Sequence, residues 1–509
     1  MLVVAFMVAA VGAAGCTSDS SSDPQPTDET RAAPATGDPM ELDVLVYNIE
    51  YGGDASTDKV LRSLDADVVG VLESYNRLPE IAENTGYPYY NVGLQLLSKY
   101  PIHEPSGADG LYALIEVQPG YAVAFFNTHL DYVAYGPKLL TKGMSVQDVV
   151  ASENEVRTSS MEILLPPLDA AVEAGYPTFL TGDFNEPSSL DYTAETVGTR
   201  EGIDEVVPWP VSERLFGIGF HDTFRDVHPD PLANPGLTHD DPDFKGDGGG
   251  DRIDYVYAGG PVETLDSRLV GKTGDANVDI GFETWSSDHR AVLSTFDLEP
   301  VELPTTVSLD RRLLTVGDEL TVAPNAPGVD ESTVAVVPEG GDASEALSSQ
   351  ESGDAGETLS VDTAELEPGG YDVVLLDEAG DEVARNTFWV RARDAEVRVS
   401  TDRSTYGVGD PVRVEWEDGP ANRWDWIGLF RAGADDTEKD DYLLWGYTGG
   451  HDSGALPPSV HGAMTLDGSS QGHPWPLPPG DYAVHYLITD QYQSVGSAEF
   501  TVESGDGAG

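Results

Sequence analysis

From Glu41 to about Pro300, short apolar runs alternate with stretches of helical period. Leu42, Val44 and Val46 alternate with other residues and lead to Asn48. Successive strand side chains point to opposite faces, so this pattern predicts a strand. Asp67-Val68-Val69-Gly70-Val71-Leu72 is a nearly continuous apolar run that predicts a buried strand ending at Glu73. Tyr121 to Phe126 leads into Asn127-Thr128-His129, and Tyr176-Pro177-Thr178-Phe179-Leu180 leads into Thr181-Gly182-Asp183. Ser152-x-x-Glu155 predicts a capping box opening a helix that carries Val156, Ile163 and Leu164. Pro166-Pro167 should break or kink that helix, with Leu168 to Ala174 continuing it to Gly175. This mixture predicts stacked sheets flanked by helices.

The polar residue comes last in each run: Asn48, Glu73, His129 and Asp183 all stand there. Packing does not require that, whereas a reactive rim built on strand ends does. Asp183 and Asn185 are two apart, so in an extended chain they face the same side. Asp, Asn and the following Pro187 also suit a plain turn.

After Pro300 the helical patterns vanish. Val307-Ser308-Leu309-Asp310-Arg311 with Val316-Gly317-Asp318 recurs as Val399-Ser400-Thr401-Asp402-Arg403 with Val408-Gly409-Asp410. Gly370-Tyr371-Asp372-Val373-Val374 is echoed by Asp481-Tyr482-Ala483-Val484. The repeat predicts two related immunoglobulin-like β-sandwiches, the second with an insertion. The expected organisation is a signal over 1–16, a disordered linker over 17–39, an α/β domain over 40–299, β-sandwiches over 300–394 and 395–503, and a tail over 504–509.

Charge narrows the partners. The 509 residues carry 27 Lys and Arg against 90 Asp and Glu, a net charge of −63. Such a surface repels polyanions and argues against strong nucleic-acid binding. Adaptation to high salt would produce the same excess, because screening weakens the repulsion. Cys16 is the only cysteine, so no internal disulfide can form. MLVVAFMVAAVGAAGC has the apolar core of a secretory signal. Ala13-Ala14-Gly15-Cys16 resembles the bacterial lipoprotein processing box, in which the cysteine is lipidated. Two departures are the missing basic n-region and Ala13 where Leu is usual. That resemblance implies a membrane anchor through Cys16, at the outer face of the cell membrane; an ordinary cleaved signal would give a secreted protein.

The chemistry-bearing pieces occur in a fixed order. They are Leu45-Val46-Tyr47-Asn48-Ile49, Leu72-Glu73, Leu97-Ser98-Lys99-Tyr100-Pro101-Ile102, Asn127-Thr128-His129-Leu130, Gly182-Asp183-Phe184-Asn185, Asp251-Arg252-Ile253-Asp254-Tyr255-Val256 and Ser287-Asp288-His289. Together they resemble the endonuclease/exonuclease/phosphatase superfamily over roughly residues 41 to 298. The resemblance implies a four-layered α/β sandwich of the deoxyribonuclease I-like fold and hydrolysis of phosphate esters with a divalent metal, Mg2+ or Mn2+. A phosphodiester is an anion, so attack on it needs charge neutralisation by a hard cation held on carboxylate oxygens. By resemblance Glu73 is the main metal ligand, with Asn48 and Asp288 close by. Asp183 would orient or deprotonate water, or protonate the leaving group, and Asn185 would hold a phosphate oxygen or the water. His289 would transfer protons near neutrality, its second nitrogen held by Asp254. His129 resembles the second phosphate-facing histidine.

HDDPDFKGDGGGD, between Thr238 and Arg252, is dense in Asp and Gly. Asp241, Asp243 and Asp247 would make a second cation site or an acidic lid hinged at Gly248-Gly249-Gly250; the spacing does not match an EF-hand loop. This loop and the segment from Gly202 to His228 should set substrate choice. In the last module, Trp424-Asp425-Trp426-Ile427-Gly428-Leu429-Phe430 and Tyr442-Leu443-Leu444-Trp445-Gly446-Tyr447 look similar to the SKICH-type sandwich found beside some phosphatases of this superfamily. They predict an aromatic sandwich core, or else a docking face for sugar, lipid or protein.

The expected function is an exported metal-dependent phosphoesterase that attacks phosphodiester bonds with water. A secreted nuclease acting on extracellular DNA or RNA is one alternative, and the few basic residues near the motifs, Lys99, Arg157, Arg252 and Arg290, weigh against it. A catalytically silent surface-binding protein is the other.

Overall fold

Met40–Asn48 forms a strand buried on both faces, and its alternation sorts its side chains between two cores. Leu42, Val44 and Val46 enter one apolar cluster, while Leu45 and Tyr47 enter another. The first cluster also takes Val123, Phe125, Phe179, Val256 and Phe296, so it lies between two sheets. Each such buried side chain contributes roughly 1.5–3 kcal/mol. The second cluster takes Val60, Leu61, Ile81 and Ala82 from two helices, Ala55–Leu64 and Leu78–Thr85.

This computed structural model describes residues 35–504, apart from 133, 159–160, 200–202, 240–249, 328–331, 353–357, 423–424, 434–441, 449–459, 469, 473 and 489–490. Cys16, Asp241, Asp243, Asp247 and Trp424 therefore lie outside the described residues. The first sheet has the order Ile280–Phe282, Val262–Lys272, Ala291–Leu298, Met40–Asn48, Val68–Leu72, Leu96–Ser98, Tyr89–Asn91. The second has the order Ile102–His103, Tyr112–Gln118, Tyr121–His129, Thr178–Asp183, Asp254–Gly259, His221–Asp222, with Val301–Glu302 also paired to Tyr121–His129. The outer face of this sheet is covered by Leu164, Leu168, Val211 and Leu215, largely from helices Leu165–Glu173 and Pro210–Gly217. The result is the expected helix, sheet, sheet, helix sandwich.

Two local expectations change. Helix Val146–Glu153 is capped by Ser145, whose side chain accepts from the Asp148 amide, so Ser152 lies inside the helix instead of capping it. The helix then widens into a π turn over Asn154–Thr158. Pro166 and Pro167 sit at the start of Leu165–Glu173, where a missing amide hydrogen costs nothing. At the other end of the chain, residues 35–39 of the expected linker are tied down. Gln118 brackets Asp38 with two hydrogen bonds, and the Gly37 amide donates to Pro300 O at 2.7 Å.

The two sandwiches have one topology. The first pairs Thr306–Leu309, Glu319–Asn325 and Leu359–Asp362 against a five-stranded sheet; the second pairs Arg398–Thr401, Val412–Glu417 and Gly462–Leu466 against a six-stranded one. In each, a short strand (Leu313–Thr315 or Thr405–Gly407) runs parallel to the last strand. The echoed tyrosines do the same job: Tyr371 OH donates to Glu367 O and Tyr482 OH to Pro478 O, four residues upstream in both cases.

Candidate active site at the end of the two sheets

Strand parity brings the polar ends together. Asn48 follows Leu42, Val44 and Val46; His129 follows Val123 and Phe125; Asp183 follows Phe179; Asp254 precedes Val256 and Ala258. All four project toward the space between the sheets, at one end of the sandwich. Register aligns three of them. His129 pairs with Asp183 in the parallel ladder, and Asp183 with Asp254 in the antiparallel one. Two glycines make room. A Cβ on Gly182 would meet Thr128 O at 2.3 Å. One on Gly70 would meet Thr181 Oγ1 at 2.1 Å and Asn127 Oδ1 at 2.6 Å. Asn127 thereby reaches across, donating to Val71 O and Leu94 O of the opposite sheet's region.

Glu73 breaks parity. By alternation it would face the helices, with Val69 and Val71. Its φ of +57° turns it so that Oε1 accepts from Asn48 Nδ2 at 3.1 Å and Oε2 from the Tyr51 amide. Non-glycine residues hold that conformation at a cost of about 1–3 kcal/mol, which the surrounding structure must overcome. Tyr51, Tyr75 and Asn185 share the left-handed conformation and line the same cleft.

Asp183 is the hub. Oδ1 accepts from the Asn185 amide at 2.9 Å, which is the turn bond of an Asx motif. Oδ2 accepts from Asn48 Nδ2 at 3.1 Å and lies 3.5 Å from His129 Nε2 and 3.6 Å from His289 Nε2. The turn and the polar cluster are thus built by the same residue. Asn185 donates one carboxamide hydrogen to Leu130 O at 2.9 Å while still lining the cleft.

His289 is buried, with Nδ1 2.8 Å from Asp254 Oδ2. Its backbone is held through Ser287, whose hydroxyl accepts from the His289 amide and donates to Asn48 O. Burial works against a charge on this ring, but the Asp254 and Asp183 carboxylates outweigh it and push its pKa up to about 10. Burial pushes Asp254 above the ordinary carboxylate range, and the adjacent imidazole pulls it back.

Carboxylates crowd the mouth. Burial and the facing Asp288 push Glu50 upward, and Glu73 adds to this. Asp288 is half exposed, its amide donating to Glu50 Oε2 at 3.0 Å. Two groups of side chains bring three donor atoms within 4.8 Å of one another: His239, Asp288 and His289, and Asp183, Asp254 and His289. Among the described residues, Asn48 and Glu73 belong to neither group and are joined by their hydrogen bond. Carboxylate oxygens in excess fit a hard divalent cation such as Mg2+ or Mn2+.

Sequence reasoning missed His239 and Glu50. The His239 ring packs 4.7 Å from that of His289, and its backbone bridges to both Asp251 and His289. Its one signal was its place at the head of the Asp-Gly stretch. The basic residues near the motifs turn out to be engaged internally. Arg252 meets Asp191 at 2.8 Å and Asp222 at 2.6 Å, Arg157 meets Glu153 at 2.7 Å, Lys99 meets Asp65 at 3.1 Å, and Arg290 donates to Leu237 O at 2.8 Å.

The sequence model of the Endonuclease/Exonuclease/phosphatase family matches residues 45–289, ending on His289 itself. An uncharacterised protein of Caenorhabditis elegans is 30% identical over 246 residues, covering 42% of this chain and 75% of that protein. The chain belongs to the Endonuclease/Exonuclease/phosphatase family, whose members hydrolyse phosphoester bonds and usually use a divalent metal. Among solved structures, it is similar to an endonuclease/exonuclease/phosphatase from Beutenbergia cavernae DSM 12333, with 16% identity and a TM-score of 0.33 over 69% of this chain and 99% of that one. It is also similar to an AP endonuclease from Archaeoglobus fulgidus, with 16% identity and a TM-score of 0.36 over 50% of this chain and 100% of that one.

Proposed function

We propose that this protein is an exported, metal-dependent phosphoesterase that hydrolyses phosphodiester bonds by water attack. The observation that carries the reading is the meeting of His129, Asp183 and His289 around one carboxylate oxygen, Asp183 Oδ2. A divalent cation, when bound near Glu73, Asn48 and Asp288, supplies a Lewis acid that neutralises the phosphate. The chain's own groups do the rest. Asp183 Oδ2 takes a proton from a water whose oxygen bonds to phosphorus as the phosphorus–oxygen bond to the leaving group breaks, and that proton passes on to the departing oxygen. His289, cationic and oriented by Asp254, presents Nε2–H to charge developing on a phosphoryl oxygen. His129 Nε2 faces the same spot and holds a second oxygen.

A polymeric nucleic acid is disfavoured as substrate, because Lys99, Arg157, Arg252 and Arg290 are engaged elsewhere. Export and anchoring through Cys16 rest on the N-terminal sequence.

The test is hydrolysis of bis(p-nitrophenyl) phosphate by residues 40 to 509, with Mg2+ and with EDTA, beside His289→Ala and Glu73→Gln. Turnover that needs Mg2+ and collapses in both variants supports the reading. Turnover unchanged by EDTA, or undiminished in Glu73→Gln, overturns the metal assignment.

A further inference from the structure

Residues of the second sandwich line the same cleft as the His and Asp cluster. The cleft, about 340 Å³, is bounded on one side by Glu73, Asp183 and His289 and on the other by Trp426, Tyr442, Trp445, Tyr447 and Tyr492. The aromatic side lies outside the sandwich core. Ile427 and Leu429 point into that core, whereas Trp426 and Phe430 belong to a separate cluster on the outer face of the six-stranded sheet. The expectation of a sandwich core therefore fails for Trp426 and Trp445, which stand together on the outer face of the sheet.

The wall is rigid. Trp426 touches Tyr442, Trp445 and Tyr492 edge to face, with centroids 5.9, 6.1 and 5.6 Å away. Tyr447 meets Trp445 at 5.2 Å and 87°. Trp426 Nε1 donates to Gln491 O at 3.0 Å, which fixes the indole beside Tyr492. Trp426 and Trp445 are nearly buried, while Tyr442, Tyr447 and Tyr492 are half-buried and line the cleft.

The lining decides the ligand class. Among the described residues its apolar surface comes mainly from Trp426, Trp445 and tyrosines, with Leu130 and Ile253 beside them. The carboxylates of Glu73, Asp131, Asp183 and Asp288 line the cleft and repel a second phosphate. Its volume sits near the lower end of the roughly 300–1,000 Å³ of small-molecule sites, enough for one compact group beside the phosphate. Tyrosine and tryptophan faces favour a flat ring.

Resting on the phosphoesterase reading, we infer that the second sandwich supplies a substrate subsite. Tyr447 and Tyr492, backed by Trp426 and Trp445, take the organic group of the phosphoester, and that group is an uncharged ring with a flat apolar face, as in an aryl group or a pyranose.

The test is calorimetric binding of phenylphosphonate and methylphosphonate, with Mg2+, to the full chain and to its Tyr447→Ala and Tyr492→Ala variants. Tyr492→Leu keeps apolar volume without the ring and serves if an alanine variant fails to fold. The wild type should bind the phenyl ligand about tenfold more tightly, and the variants should lose that preference by weakening the phenyl ligand alone. Equal affinities in the wild type, no binding of either ligand, or a preference that survives the variants overturns the subsite. Glucose 1-phosphate, run beside phenylphosphonate, tells a sugar from an aryl ring. Binding is read without turnover. A ring preference in a protein that fails to hydrolyse bis(p-nitrophenyl) phosphate keeps the subsite and discards the phosphoesterase; hydrolysis without ring preference does the reverse.

Discussion

The two sandwiches are the same fold with different outer faces. On corresponding strands, Val334 and Val336 of the first and Ile427 and Leu429 of the second fill the cores. The alternate positions differ. The first module carries Ala335, Val337 and Val374 there, a small aliphatic patch; the second carries Trp426, Phe430 and Trp445. Inner faces answer to the sandwich, whose two sheets must interdigitate. Outer faces answer only to what lies next to them, and next to the second lies the catalytic cleft.

The sharpest break removes the chemistry that neither sandwich supplies. His289→Ala should lower kcat by about 10²–10⁴, equally for ring and alkyl esters, measured by steady-state kinetics. A loss confined to ring esters would place His289 with the wall instead. Next come the matched inner faces. Leu429→Ala and Leu375→Ala, both fully buried, should each destabilise their module by about 2–5 kcal/mol in urea melts. A much smaller cost in one module would mean that the cores are not equivalent. On the outer faces, Tyr492→Ala should raise KM for ring esters about five- to fiftyfold with kcat little changed. Val337→Ala should leave kinetics untouched and cost about 1–2 kcal/mol.

The remaining break is the pH dependence of the rim. His289 has its pKa raised to about 10 in the folded chain, against about 6.5 unfolded. Its contribution to stability is therefore complete below the unfolded value and is lost as pH rises through the folded one. The stability gap between wild type and His289→Gln should narrow from pH 7 to pH 10 in denaturant melts. A gap that widens over that range would contradict a charged, carboxylate-held ring.

Much of the candidate site is legible in one dimension because parity is local. Asn48, His129, Asp183 and Asp254 can be placed on one side by counting twos from the apolar residues beside them. Glu73 cannot, because its left-handed backbone reverses the count. The helix start moved from Ser152 to Ser145 because both offer a capping hydroxyl, and only the packing of Val149 chooses between them. Arg252 looked like a cation near the motifs; its partners Asp191 and Asp222 arrive from a turn and an edge strand distant in sequence.

The sequence by itself determined the strands, the polar residues at their ends, the family and the internal repeat, since each depends on neighbours within a few residues or on ordered motifs. Only the tertiary structure decided which carboxylates surround His289, because that needs two strands and a loop in register. It alone decided that the aromatic face of the second sandwich meets the cleft. Alternation along a strand separates its two faces, and nothing in that alternation says what the outer one will touch.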